Sequence, residues 1–150
     1  MLELARPCDR SAVEDLARQV HKLHVSWRPD IFEMGELYPE ERFLAHIQAK
    51  ELYVARVDGT VVGYVLLKIR GYDAPGLVRR RVMVVAEICV EELCRGSGIG
   101  KQMMAEVRAL GRAFGCTDLQ LDVQPENDDA VVFYQKCGFT IRAIQMQRKI

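Results

Sequence analysis

The spacing of apolar residues changes along this chain from helical to alternating and back. Val13, Leu16, Ala17, Val20 and Leu23 recur three and four residues apart, which predicts one buried helix face. Ser11 and Glu14 form an S-x-x-E capping box at its start. Ahead of it, "LELARP" predicts a short opening strand. Phe43, Leu44 and Ile47 predict the buried face of a second helix, with Pro39 suited to a first helical position. Strand patterns then take over. "LYVARV" and "TVVGYVLLKI" flank Asp58-Gly59, a two-residue hairpin signal, and "RVMVVAEICV" reads as a largely buried strand. Helical spacing returns with Ile99, Met103, Val107, Leu110 and Phe114, and Gly115 stops it. "DLQLDV" puts Leu119, Leu121 and Val123 on one strand face and Asp122 on the other. Asn127 caps a short helix that has Asp128 and Asp129 at its positive end. "FTIRAIQMQRKI" predicts one long or two short closing strands.

The sum is a mixed α/β domain: hairpin strands first, then a strand–helix–strand unit with a right-handed crossover. At 150 residues, 49% apolar and 28% charged, the chain has the size and composition of one soluble globular domain covering 1–150. Its formal net charge is zero, so no global field draws it to nucleic acid or acidic membrane. Arg79, Arg80 and Arg81 read as a solvated strand entrance. The five cysteines are scattered and show no C-x-x-C pair, which suits a reducing, cytoplasmic setting. The beginning of the chain has no secretory pattern, and no apolar run approaches the roughly eighteen residues of a membrane span. His21 and His24 stand three apart with no third ligand in view, so no metal is expected.

The chemistry is concentrated in "EELCRGSGIGKQMM". A glycine-rich turn from a buried strand into a helix presents bare N–H groups at a positive helix end, where phosphate oxygens bind. The P-loop pattern fails at both ends, since Gln102 follows Lys101 and Arg95 stands five before Gly100. The dinucleotide fingerprint fails from Gly96 and from Gly98. R-x-x-G-x-G does fit, as Arg95, Gly98 and Gly100. Further on, "NDDAVVFYQKCGF" supplies N-x-x-A-x-x-x-Y-x-x-x-G-F through Asn127, Ala130, Tyr134, Gly138 and Phe139. With these two motifs in this order, the sequence resembles the GNAT superfamily of acetyl-CoA-dependent N-acetyltransferases, closely over residues 82–139 and only in layout before that.

The resemblance implies a GNAT-like acyl-CoA N-acyltransferase fold of about six to seven strands with helices on both faces. It implies acetyl-CoA as acyl donor, its pyrophosphate over the N–H groups of Arg95, Gly96, Ser97, Gly98, Ile99, Gly100 and Lys101, with Asn127 and Tyr134 nearby. A Cβ at Gly98 or Gly100 would meet phosphate or demand a strained φ. Pantetheine would pair with the strand edge at Ile88, Cys89 and Val90, whose N–H groups would also face the carbonyl oxygen. Tyr134 matches the family's tyrosine, a phenol that can give a proton to the leaving thiolate; an aromatic packing a short helix is the other reading. Glu87 and Asp122 both stand where an acid serves as base, and both also fit a solvated or arginine-paired carboxylate. The acceptor is a small-molecule or protein amine. Trp27, Phe32 and Glu33 in the loop after the first helix are candidate acceptor contacts, and the two aromatics fit equally a staple over the core. A non-catalytic acyl-CoA-binding module and transfer of a longer acyl group are the alternatives. The resemblance is also compatible with a homodimer.

Overall fold

The computed structural model describes residues Met1–Ile150. One sheet runs in the order β1-β2-β3-β4-β5, with β1 at Leu2–Leu4, β2 at Leu52–Val57, β3 at Thr60–Tyr72, β4 at Arg80–Val90 and β5 at Asp118–Leu121. The first four strands are antiparallel neighbours, and β5 joins β4 in parallel. Helices α1 (Arg10–Trp27) and α2 (Glu40–Gln48) cover one face; α3 (Ile99–Ala113) and α4 (Asp128–Lys136) cover the other.

Alternation along the strands assigns the two cores. Leu52 and Val54 lie with Val13, Leu16 and Phe43 beneath α1 and α2, whereas Tyr53 and Ala55 lie with Met103 and Val107 beneath α3. Each fully buried aliphatic side chain contributes about 1.5–3 kcal/mol of apolar burial. Asp58 and Gly59 both take positive φ, +48° and +79°, between the paired Val57 and Thr60, as the two-residue hairpin turn requires.

Five expectations are corrected. The capping box does not form. A 3₁₀ turn at Pro7–Asp9 leads into α1, so Ser11 already lies inside the helix, and the Asp9 carboxylate accepts from the Arg6 N–H at 2.8 Å. Glu14 instead holds the loop after α1, accepting from the Leu37 and Tyr38 N–H groups at 3.1 and 2.6 Å. Pro39 precedes α2 rather than opening it, and Leu44 is exposed while Phe43 alone of that helix is fully buried. β5 stops at Leu121, which leaves Val123 outside the strand. The sheet has five strands, not six or seven, because residues 140–150 form no ladder. Every residue from 140 on is exposed and none makes a backbone hydrogen bond, since no strand of this chain lies beside them.

Candidate active site

β4 changes its surroundings halfway along. Its first half pairs with β5 from Val82↔Asp118 to Val85↔Leu121. There β5 ends, and residues 86–90 have β3 on one side and no strand on the other. The Glu91 N–H donates to Val62 at 2.8 Å, so antiparallel alternation turns the backbone of Glu87 and Cys89 toward β3 and that of Ile88 and Val90 toward the open side. Arg95 Nε donates to the Val90 carbonyl at 3.0 Å and fastens the following loop to this edge. Cys89 faces the other way, its thiol donating to the Leu16 carbonyl at 3.3 Å.

At the head of the open edge, a 3₁₀ turn at Glu92–Cys94 passes through Gly96 and Gly98, at φ of +78° and +90°, into α3. Those two values favour glycine. None of the backbone N–H groups of residues 96–101 donates to another backbone group, and all lie at the positive end of a 15-residue helix. The Ser97 hydroxyl donates to the Cys94 carbonyl and shapes the turn. Gly100 serves packing: its φ is ordinary, and a Cβ there would lie 3.2 Å from the Phe133 ring. Asn127 caps α4, its Oδ1 accepting from the Ala130 N–H at 3.2 Å.

Tyr134 on α4 stacks edge-on between Phe133 and Phe139, with centroids at 5.4 and 5.8 Å. Burial, with the nearby Cys137 and Cys89 thiols, pushes its phenol up to about 12. This tyrosine therefore keeps its proton at any physiological pH, and it lies within electrostatic reach of Cys89 on the open half of β4.

Glu87 lies on the opposite face of the sheet, and a bulge puts it there. Leu66 pairs with Glu87 and Leu67 with Val85, so Ala86 is an extra residue. Val85 points beneath α3. Strict alternation would send Glu87 there too, but the bulge sends Glu87 and Cys89 to the α1 side. Arg42 Nη2 donates to Glu87 Oε1 at 2.7 Å; the Tyr38 and Tyr64 hydroxyls donate to Oε2 at 2.6 and 2.9 Å. Burial acts to raise the pKa of Glu87, but the bonds from Tyr38 and Arg42, the arginine's charge and the bond from Tyr64 together outweigh it, and the carboxyl sits below its ordinary value. Arg42 also lies 4.3 Å over the Tyr38 ring. None of Tyr38, Arg42 and Tyr64 stands out in the sequence, where they lie 49, 45 and 23 positions from Glu87.

Asp122 follows the end of β5, exposed and without an ion pair, and does not join this cluster. In the loop after α1, Phe32 packs on His24 at 5.1 Å and on His21 at 6.0 Å; Trp27 lies not in that loop, as the sequence suggested, but at the last position of α1, where it stacks on His24 at 6.0 Å. Both aromatics are thus half-buried against α1. Burial and the neighbouring His21 lower the pKa of His24, opposed by the charge of Glu87, so this imidazole is neutral at pH 7 and within reach of the Glu87 site. Sequence reasoning considered His24 only as a metal ligand. The loop's acids are mostly committed: Asp30 is held by Arg28 at 2.8–2.9 Å, its pKa lowered to about 2, and Glu36 by Arg10 at 3.2 Å. The exposed side chain of Glu33 makes no such pair; its carbonyl oxygen meets His21 Nε2 at 2.6 Å. No group of three metal-ligating side chains converges anywhere, and no helix is long and apolar enough to cross a membrane.

The edge of β4 thus opens beside a loop of free N–H groups, with the half-buried Tyr134 phenol on α4 and an anchored Glu87 carboxylate on the α1 side. The model of the acetyltransferase (GNAT) family matches residues 17–139. The chain belongs to the GNAT acetyltransferase family. By class it is an acetyl-CoA-dependent N-acetyltransferase. It is 34% identical over 114 residues to an N-alpha-acetyltransferase of Sulfurisphaera tokodaii, covering 71% of this chain and 67% of that one. It is 30% identical over 129 residues to an aminoglycoside N(6′)-acetyltransferase type 1 of Salmonella enteritidis, covering 81% and 89%. Among solved structures, the tetramutant of the BH1408 protein from Bacillus halodurans superposes with a TM-score of 0.94 at 26% identity, over 100% of this chain and 99% of that one. The aminoglycoside acetyltransferase AAC(6′)-Iy, solved with CoA, shares the fold at a TM-score of 0.70 and 21% identity, over the whole of both chains.

Proposed function

We propose that this GNAT enzyme acts as one domain that transfers acetyl directly from acetyl-CoA to a weakly basic primary amine, an α-amino group above all. The observation that carries the reading is the split of β4 from β5 after Val85, with the free N–H groups of residues 96–101 at its head. These groups fit a pyrophosphate, and the outward backbone of Ile88 and Val90 fits an extended chain bearing amides, as pantetheine is. Acetyl-CoA supplies an activated acetyl group as a thioester.

The residues of this chain supply position and protons. Tyr134 holds a proton at Oη on the side of the open edge. An ordinary thiol titrates about 3.5 units below a phenol at pKa about 12, so complete transfer to a thiolate would cost about 5 kcal/mol. The phenol therefore acts first by hydrogen bonding to developing negative charge, and its proton follows.

Glu87 stays ionised and attracts the amine, with solvent water taking the amine's proton. With three donors on it and a lowered pKa, the carboxylate is a weak base. That limits the acceptor. Deprotonating an alkylammonium at pH 7 costs about 5 kcal/mol, whereas an α-ammonium costs about 1 kcal/mol. Arg42 also offsets the charge of Glu87, and arginines hold Asp30 and Glu36, which leaves little surplus negative charge for a polycation. The N-alpha-acetyltransferase relative accords with this choice.

The test is a titration with acetyl-CoA followed by mass-spectrometric turnover on an amine panel: peptides with free N-termini, peptides with only lysine amines, polyamines and an aminoglycoside. Acetyl-CoA binding with turnover confined to free N-termini is expected. Binding with turnover only on the aminoglycoside would keep the enzyme class and reject the acceptor, and absence of acetyl-CoA binding would reject the whole reading.

A further inference from the structure

Helix α1 holds the chain where it leaves β4, and a single side chain does it. Gln19 is half-buried on α1. Its Nε2 donates to both carboxylate oxygens of Glu91, at 3.0 and 2.9 Å, and its Oε1 accepts from the Glu92 N–H at 3.1 Å. Both ends of the amide are thus used, on two consecutive residues 72 and 73 positions away. A lysine or arginine could not do this, because neither has an acceptor for the Glu92 N–H. Bonds from Gln19 are the only hydrogen bonds that the Glu91 carboxylate accepts, and a bond to an ionised acceptor is the stronger kind.

Glu91 is the last residue fixed by the sheet, its N–H donating to Val62 at 2.8 Å. Beyond it the backbone is held by short-range bonds alone. The Cys94 N–H donates to the Glu91 carbonyl at 2.8 Å and the Arg95 N–H to the Glu92 carbonyl at 3.2 Å. The Arg95 and Ser97 side chains reach back only to Val90 and Cys94. Backbone bonding resumes at the start of α3, where the Gln102 N–H donates to Gly98 at 3.0 Å. The Glu92 bond to Gln19 is therefore the one hydrogen bond that ties residues 92–98 to a distant part of the fold.

We propose that Gln19 is a positioning residue for the acyl donor. By fixing Glu91 and Glu92 it sets the path on which residues 96–101 present their N–H groups to one anion, so that the ordering is already done when acetyl-CoA binds. The inference rests on the reading of these N–H groups as the acetyl-CoA site.

The test exchanges the amide and the carboxylate. Gln19→Glu alone sets two carboxylates against each other. Glu91→Gln alone keeps a donor and an acceptor on both side chains. In the double variant the carboxylate at position 19 accepts from the amide at position 91 and from the Glu92 N–H, and the net charge is that of the wild type. Amide exchange is read without ligand at Glu92, Cys94 and Arg95, and the acetyl-CoA Kd is read by calorimetry. Gln19→Glu is expected to speed exchange at these amides about tenfold and to weaken acetyl-CoA binding about tenfold, with Glu91→Gln changing both less than about threefold. The double variant should return to within about threefold of the wild type in both.

Unchanged exchange and affinity in Gln19→Glu overturn the proposal, as does a double variant that recovers neither. Faster exchange with an unchanged Kd would leave the acetyl-CoA site standing and remove Gln19 from its affinity. Faster exchange that extends equally to residues 82–85 would make Gln19 a general stabiliser, which also overturns it. A wild type that does not bind acetyl-CoA would reject the reading of the loop itself, and the role of Gln19 with it.

Discussion

The two halves of β4 are one continuous strand with opposite surroundings. Residues 82–85 are zipped between β3 and β5, and their side chains are buried. Residues 86–90 begin with a bulged, exposed alanine, keep one neighbour and leave backbone polar groups on the other edge. What separates them is the end of β5 at Leu121 and the extra residue at Ala86, not a change in composition: both halves read as apolar. Close packing and open backbone thus divide along one strand.

The largest effect is expected at the chemical end. Tyr134→Phe keeps the ring between Phe133 and Phe139 but removes the proton, and kcat should fall by about a thousandfold while acetyl-CoA affinity holds. Turnover measured against calorimetric Kd decides it; unchanged turnover would leave the phenol as packing. In the zipped half the converse holds. Met83 is 1% exposed beneath α3, and Met83→Ala should cost about 3 kcal/mol of unfolding free energy in urea, with kcat per folded molecule nearly unchanged. If this variant instead lost activity while keeping its stability, the division along β4 would be wrong.

The geometry of the glycine turn and of α4 was legible because its signals are local. Gly96 and Gly98 announce positive φ next to a helix start, Asn127 and Tyr134 sit in a fixed register on one short helix, and Asp58-Gly59 marks its own turn. The Glu87 cluster was not legible. The extra residue in "VMVVAEICV" breaks a pattern that is apolar at nearly every position, so nothing in it reveals which way Glu87 points. Its partners come from a loop, α2 and β3, and only the folded chain brings them together. Ser11 and Glu14 misled because Glu14 is taken by the backbone of Leu37 and Tyr38, a long-range demand that overrides a local motif. The closing strand was read from a real alternation that has no partner within one chain.

At the head of the open half, Gly98→Glu sets a side chain at φ of +90° and a negative charge among N–H groups that suit an anion. Acetyl-CoA should bind about a hundredfold more weakly, equivalent to about 2.7 kcal/mol, in a protein that still folds cooperatively, its urea midpoint lowered only by the strain of a side chain at that φ, about 1–3 kcal/mol. A loss of folding in place of a loss of binding would make these glycines part of the scaffold and move the functional boundary beyond Val90.

The smallest effect concerns the carboxylate that the bulge turns away from α3. The pKa of Glu87 in the folded chain lies below its ordinary value of 4.5, so the unfolded chain binds this proton more readily than the folded one. Its contribution to stability is therefore complete above about pH 4.5 and is lost as pH falls through the lower folded value. Glu87→Gln removes the charge at every pH and leaves Arg42 without its partner. The variant should be less stable than wild type near pH 7, and the gap between their urea midpoints should narrow as pH falls below about 4.5, because the wild-type carboxylate then takes up its proton on unfolding and, at lower pH, in the folded chain as well. A gap that stays constant with pH would mean that the three donors hold Glu87 by shape and not by charge. In that case His24, whose pKa the charge of Glu87 also reaches, would be the next group to substitute in the search for the acceptor chemistry.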